Sequence, residues 1–275
     1  MAASSAIKRH GGKGYLADKI RALFPKHTRY CETHFGSGAV LLAGDGEGVA
    51  EYANDLDKLL MHFWWTLSEP TVFEDFHRRA QMTPFSEPRF NQARERIAAV
   101  EHCIARMPQD RAVDFFVQNR QSRQALGKCF ATPTGRLRRN MNEQVSAWLS
   151  AVDGLPEMHA RLRRVEIRCM DAVDFIKELD SPETLFYCDP PYMHETRTAT
   201  KAYAHEMTKE QHYSLLSTLG EISGKFLLSG YPSDFYEKFA HRFHWRHVDF
   251  DIDNKASSAK SKEKKIERVW MNFRA

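Results

Sequence analysis

The sequence predicts an α/β protein, an open sheet of seven strands interrupted by a helical insertion. Three observations predict it. Short apolar runs recur near Arg29–Thr33, Val49–Ala53, Arg164–Cys169, Thr184–Cys188, Lys225–Ser229, Trp245–Asp251 and Ile266–Phe273. Such short runs bounded by turn residues read as strands. A long stretch between the second and third runs carries helical spacing instead. Finally, glycine- and proline-rich turns sit directly after strand candidates, where open α/β sheets place their ligands.

Taken in chain order, the first candidate element is Lys8-Arg9-His10-Gly11-Gly12-Lys13. It is glycine-rich and cationic, but its spacing is not that of a nucleotide phosphate loop. It suits a loop that meets a carboxylate or a phosphate. Strand Arg29–Thr33 then runs into His34-Phe35-Gly36-Ser37-Gly38-Ala39 and the apolar Val40-Leu41-Leu42. Glycine allows a tight turn and close approach to a ligand, although a lone G-x-G is weak by itself. The next strand ends in Asn54-Asp55-Leu56-Asp57. An acidic residue at that place is positioned for ribose hydroxyls; equally, Asp55 or Asp57 could cap the following helix.

The insertion spans roughly 67–162. Glu87–Met107 is amphipathic, Ala112–Leu126 has helical spacing, Gly127–Arg139 reads as a loop broken by Pro133 and Gly135, and Asn142–Val152 reads as a short helix. No acidic residue occurs from Phe115 to Asn142, while Arg120, Arg123, Lys128, Arg136, Arg138 and Arg139 do. A second cluster holds Lys255, Lys260, Lys262, Lys264, Lys265 and Arg268. Either cluster could neutralise phosphates, or be a solvated surface. The last two strands flank the Lys/Ser-rich stretch Asn254–Lys265, which predicts a mobile loop between antiparallel strands.

Strand Leu185-Phe186-Tyr187-Cys188 leads into Asp189-Pro190-Pro191-Tyr192. The Asp189 carboxylate and the Pro190 carbonyl are two acceptors, and the prolines stiffen the turn that aims them. Together they suit one small planar NH₂ group, with the Tyr192 face available for stacking a flat base. The face and not the hydroxyl is expected to matter. Asp171, after the third strand, can cap the helix that follows.

The 275 residues are 42% hydrophobic and 28% charged, with net charge +4. That bounds a globular chain of one or two domains. No run approaches the length of a membrane span. The five cysteines show no C-x-x-C pair and the thirteen histidines no metal-binding spacing, so neither a metal site nor a disulfide framework is expected, and a reducing cytoplasm is.

The order of these motifs resembles the Dam-type, D12-class family of adenine-specific DNA methyltransferases. Lys8-x-x-Gly-Gly-Lys13, Phe35–Ala39, Asn54–Asp57 and Asp189–Tyr192 carry the resemblance, which spans nearly the whole chain. Met207–His212 and Phe226–Gly230 are similar to the family's later helix start and core strand. Many members have an aromatic residue where this chain has Arg9. The resemblance implies a Rossmann-like, seven-stranded S-adenosylmethionine-dependent methyltransferase sheet, formed by 1–66 and 163–275, with 67–162 as the helical target-recognition domain. It implies methyl transfer to the N6 amine of an adenine flipped out of double-stranded DNA, with monomeric action plausible. Asp189, Pro190, Pro191 and Tyr192 would be catalytic. Arg9, Lys13, Phe35, Gly36, Ser37, Gly38, Ala39, Asp55, Asp171 and Asp189 would surround S-adenosyl-L-methionine. Lys8, Arg123, Gln124, Leu126, Lys128 and Arg136 would lie near DNA. Lys260, Lys262, Lys264 and Lys265 would touch its phosphates. A cytosine-N4 methyltransferase, an RNA or protein-glutamine methyltransferase, which the basic helical insertion disfavours, and a catalytically silent DNA-binding subunit are the competing readings.

Overall fold

The computed structural model describes residues 5–9, 12–99, 110–193, 206–252 and 265–274. The principal sheet has seven strands in the order β5-β2-β1-β6-β7-β9-β8. These are β1 (Arg29–Glu32), β2 (Ala50–Asn54), β5 (Val165–Arg168), β6 (Thr184–Cys188), β7 (Lys225–Gly230), β8 (Arg246–Ile252) and β9 (Lys265–Met271). All seven expected strands are present, with ends moved by one or two residues. β1 pairs in parallel with β2 and β6, and β6 with β7. β9 runs antiparallel to both β7 and β8. β6 is buried along its whole length, as a central parallel strand covered on both faces must be. β8, at the edge, alternates between exposed and half-buried positions.

The strand order reverses at β1, which has β2 on one side and β6 on the other. The carboxyl ends beside such a switch point are where open α/β sheets place ligands. Glu32 pairs with Tyr187 there. Thr33 continues the ladder, its N–H donating to the Tyr187 carbonyl at 3.0 Å.

The chain divides into two compact units. One comprises Ala22–Phe35, Gly48–Leu56 and Met170–Ala275. Helices α9 (Ala172–Leu179), α10 (Lys209–Glu221) and α11 (Asp234–Arg242) belong to it. Their apolar sides join Cys31, Phe186, Phe226, Leu228 and Trp270 of the strands in one core. Each helix starts on a side-chain cap, with a full capping box of Thr208 and Gln211 at α10, which satisfies backbone donors that the helix leaves over.

The other unit comprises Met1–Arg21, Gly36–Glu47 and Asp57–Cys169. Its short helices α1 (Ala17–Arg21) and α2 (Ala39–Leu42) precede the longer α3 (Lys58–Ser68), α4 (Pro70–Gln81), α5 (Glu87–Ala98), α6 (Asp110–Arg120), α7 (Glu143–Asp153) and α8 (Leu155–Leu162). Phe63, Phe76, Phe116 and Trp148 form its aromatic centre, with Phe63 stacked on Phe116 at 5.9 Å. The buried Trp148 indole donates to the Thr83 carbonyl.

Two expectations are corrected within the insertion. The helix expected over 112–126 ends at Arg120. Gln121 is fully buried, and its amide binds the Pro84 carbonyl and the Ser86 N–H. Ser122 then pairs as a β-bridge with Phe130, so the chain doubles back. The expected loop 127–139 ends in a hairpin of β3 (Leu137–Arg138) and β4 (Met141–Asn142). Its two-residue turn, Arg139–Asn140, has φ of 53° and 59°, as in the turns that match strand twist. Residues 100–107 of the expected amphipathic helix and the stretch 254–264 lie outside the described residues.

Candidate active site

Asp189 follows the last residue of β6, so the buried strand delivers it to the sheet's carboxyl edge. Pro190 behind it is buried. The surroundings are acidic. The buried Tyr187 phenol, which shares a hydrogen bond with Ser229 at 3.0 Å, is pushed well above its ordinary range by burial first and by the Asp189 carboxylate next. Burial also pushes the Cys188 thiol up to about 12. It is a neutral thiol at physiological pH and no nucleophile.

Tyr192 is 8% exposed. Its hydroxyl is engaged, donating to Glu267 Oε1 at 2.6 Å, a contact that sequence reasoning did not include. The Tyr231 ring lies against it, with centroids 4.5 Å apart and planes inclined by 57°.

At the neighbouring strand ends, Asn54 does work that sequence reasoning missed. Its fully buried amide donates to the Thr33 and Met170 carbonyls and accepts from Met170 N–H. It thus ties together the chain leaving β1, the end of β2 and the segment before α9. The only signal was an asparagine at a strand end, which is common. Asp171 does cap α9, through Oδ1 to the N–H groups of Val173 and Asp174. It is exposed, and the cap uses one of its two carboxylate oxygens. Asp55 stands half-buried just beyond β2. His34 shares a hydrogen bond with Thr33 Oγ1, and desolvation holds its pKa down at about 4, against the opposing pull of Asp171.

The other unit holds the glycine turn. Gly36 and Gly38 have φ of 53° and 66°, a region only glycine enters without strain. The Trp64 indole of α3 donates to the Gly36 carbonyl at 3.0 Å, and Ser5 Oγ to the Ser37 carbonyl at 2.7 Å. A Cβ at Gly12 would press on Ser37 Oγ and on the Arg9 carbonyl, each at 3.2 Å. The loop around Lys13 and the glycine turn therefore pack closely, so that a side chain at Gly12 would require its neighbours to give by a few tenths of an ångström. Lys13 is buried. Arg9 forms an ion pair with Asp57 at 3.0 Å. Asp57, and not Asp55, caps α3 by accepting from Leu60 N–H.

The residue types fit S-adenosylmethionine. A carboxylate at each of two strand ends can accept from hydroxyl and amine groups, one Asp171 oxygen being left over by the cap. A buried lysine beside a glycine turn is suited to a carboxylate.

A family model described as D12 class N6 adenine-specific DNA methyltransferase matches residues 10–251. The chain belongs to this family. As a D12 methyltransferase it transfers the methyl group of S-adenosylmethionine to the N6 amine of adenine in DNA. No curated protein matches the chain. Among solved structures it is similar to a proposed RNA methyltransferase from Pyrococcus horikoshii, at 11% identity and a TM-score of 0.36, over 94% of this chain and 79% of that one. It is also similar to the rRNA methyltransferase aviRa from Streptomyces viridochromogenes, at 13% identity and a TM-score of 0.38, over 94% and 83%.

The residues that the D12 resemblance assigns to DNA fall on an irregular segment. Arg123–Ala125 is a short 3-10 turn in which Gln124 and Ala125 have φ of 54° and 57°. Ser122 Oγ accepts the Gly127 N–H, and the Lys128 carbonyl is held by Arg94. Leu126 is 44% exposed. Arg136 is exposed just before the β3–β4 hairpin. Lys8 is tied to α6 by a reciprocal pair of bonds between its backbone and the Asn119 amide. Burial, then Arg120 and Arg138, lower its pKa. Lys260, Lys262 and Lys264 lie outside the described residues, as does the Lys265 side chain.

Proposed function

We propose that the D12 reaction is carried out on an adenine flipped out of duplex DNA, at the carboxyl end of β6. The observation that carries this reading is the position of Asp189-Pro190-Pro191-Tyr192, a segment stiffened by two prolines that follows β6 directly, beside the sheet's switch point. An adenine inside a duplex cannot reach such a segment and must leave the stack. The Asp189 carboxylate and the Pro190 carbonyl accept from its two amine hydrogens. This keeps electron density on the nitrogen and favours the positive charge that develops there. Tyr192 stacks on the ring. S-adenosylmethionine, when bound, supplies an electrophilic sulfonium methyl. The remaining rate comes from orientation and preorganised charge.

The assignments of Asp55 to ribose hydroxyls, Asp171 to the cofactor's adenine, and Lys13 with the Phe35–Ala39 turn to its methionine part belong to the same reading. Arg9 serves it indirectly, through its ion pair with Asp57. Residues 67–162 form the target-recognition part. Two non-glycine residues in left-handed conformation beside the exposed Leu126 support this, because strain of that kind collects at ligand-binding segments and exposed apolar side chains serve as wedges in DNA. No helix among the described residues is long and apolar enough to cross a membrane; a DNA substrate and scattered cysteines suit action in the cytoplasm.

Asp189→Ala tests the reading. Transfer of tritiated methyl groups to unmethylated DNA should be abolished, while cofactor affinity by titration stays within roughly tenfold. Turnover at the wild-type level would refute the mechanism.

A further inference from the structure

Glu267 is a carboxylate that the mechanism above does not use. It lies on β9 and is 1% exposed. An acid is buried so deeply only against hydrogen-bond donors. One donor is the Tyr192 hydroxyl, 2.6 Å from Oε1 and 75 positions away in sequence. That distance is in the range of strong hydroxyl–carboxylate bonds. Tyr231, the first residue after β7, packs on the same ring, with centroids 4.5 Å apart and planes inclined by 57°. The Tyr192 ring is thus held at its tip from β9 and contacted by a second ring from the end of β7.

The placement of β9 has other supports. Arg268 binds Asp249 of β8 through two hydrogen bonds and Glu237 of α11 through a third. β9 also pairs with β7 and β8 on either side. What Glu267 adds falls on Tyr192. Two prolines stiffen the backbone of the motif, but they leave the tyrosine side-chain torsions free. A bond at the tip of the ring removes that freedom.

We propose that Glu267 is a positioning residue for methyl transfer, which holds the Tyr192 ring through its hydroxyl in the orientation that stacks the target adenine. The proposal rests on the reading of Tyr192 as the stacking face. A ring held before the base arrives spends less of the stacking energy on being ordered. The effect should therefore appear in turnover, with little effect on cofactor binding.

The test compares Glu267→Ala, Glu267→Gln, Tyr192→Phe, Tyr192→Ala and the double variant Glu267→Ala/Tyr192→Phe. Tyr192→Phe removes the bond without touching the buried acid, so it remains informative if Glu267→Ala folds poorly. The measurements are kcat and KM for DNA and cofactor, normalised to the folded fraction, and 2-aminopurine fluorescence at the target position, found by sequencing methylated adenines. We expect Glu267→Ala and Tyr192→Phe each to lower kcat by about tenfold, as loss of such a bond typically does. KM for the cofactor should stay within about twofold. The double variant should be no worse than the poorer single one. Glu267→Gln, which keeps an acceptor oxygen, should recover most of the loss. The flipped-base fluorescence should change in Tyr192→Phe and Glu267→Ala together. Full kcat in both of these, multiplied losses in the double variant, or a glutamine variant as poor as the alanine one would overturn the proposal. Full kcat in Tyr192→Ala would instead overturn the stacking reading itself. A loss confined to Tyr192→Ala would leave stacking intact and remove only the role of Glu267.

Discussion

His34 is a base that the fold keeps from becoming charged. Its folded pKa is about 4, against an ordinary value near 6.5. A depressed pKa on a base means that protons bind the unfolded chain more readily. The contribution to stability is therefore complete above about pH 6.5, is lost as pH falls through the window from 6.5 to 4, and does not change further below it. The shift corresponds to at most about 3 kcal/mol, from about 1.4 kcal/mol per pKa unit. Urea unfolding at pH 7 and pH 4.5 checks this. Wild type should lose about 2 kcal/mol more over that interval than His34→Asn; equal losses would mean that His34 already titrates normally in the fold. The residue lies between β1 and the Gly36 turn, so its protonation should loosen the segment next to the glycines first.

At the level of elements, the division of labour within Asn54-Asp55-Leu56-Asp57 is decided by where a strand stops and a helix starts. Asn54 closes β2 by bonding to two neighbouring chain segments. Asp57 opens α3, using Oδ1 for the Leu60 N–H and Oδ2 for Arg9. Asp55 lies between the two. Asparagine caps helices about as well as aspartate does, whereas alanine cannot. Asp57→Ala should therefore cost about 1–2 kcal/mol in denaturant unfolding, and Asp57→Asn, which loses mainly a partly exposed ion pair, well under 1 kcal/mol. If the two variants proved equally unstable, the pair with Arg9 and not the cap would be the stabilising contact. The same reasoning explains why the helix expected through Leu126 stops early. Gln121 gains two hydrogen bonds by turning into the unit at that point, and a continued helix would put its amide elsewhere.

For the whole molecule, the two basic clusters should divide positioning from reading. Arg123, Gln124 and Lys128 lie in a segment whose backbone is left-handed at Gln124 and Ala125 and tied by hydrogen bonds at Ser122 and Lys128, which suits presenting side chains to base edges. Lysines in a Lys/Ser-rich stretch offer point charges suited to phosphate. Replacing Lys260, Lys262, Lys264 and Lys265 by alanine should weaken binding to all duplexes alike and flatten its salt dependence by about one unit of slope per lost contact. Replacing Arg123, Gln124 or Lys128 should shift which sites are methylated. Sequencing a randomised duplex pool after methylation, at two salt concentrations, separates the two. A shifted preference in the lysine variant alone would reverse the assignment.

The seven strands, the Asp-Pro-Pro-Tyr motif at a strand end, the glycine turn and several helix starts were legible in the sequence. Each depends on residues within a few positions of one another: an apolar run that must be buried, a proline that fixes a torsion, a side chain that caps the next turn. The order of the strands was not legible, because parallel pairing joins segments far apart in the chain and leaves no local trace. Nor was the part Glu267 plays for Tyr192, which reads in sequence as one more acid diluting a basic cluster. Asn54 as a clasp, Asp57 rather than Asp55 as the cap, and the hairpin around Arg139 were hidden for the same reason. Local chemistry states what each segment can do. Which partner takes up a buried polar group is decided by the tertiary structure, because the cost of leaving that group unsatisfied arises only once the chain around it has closed.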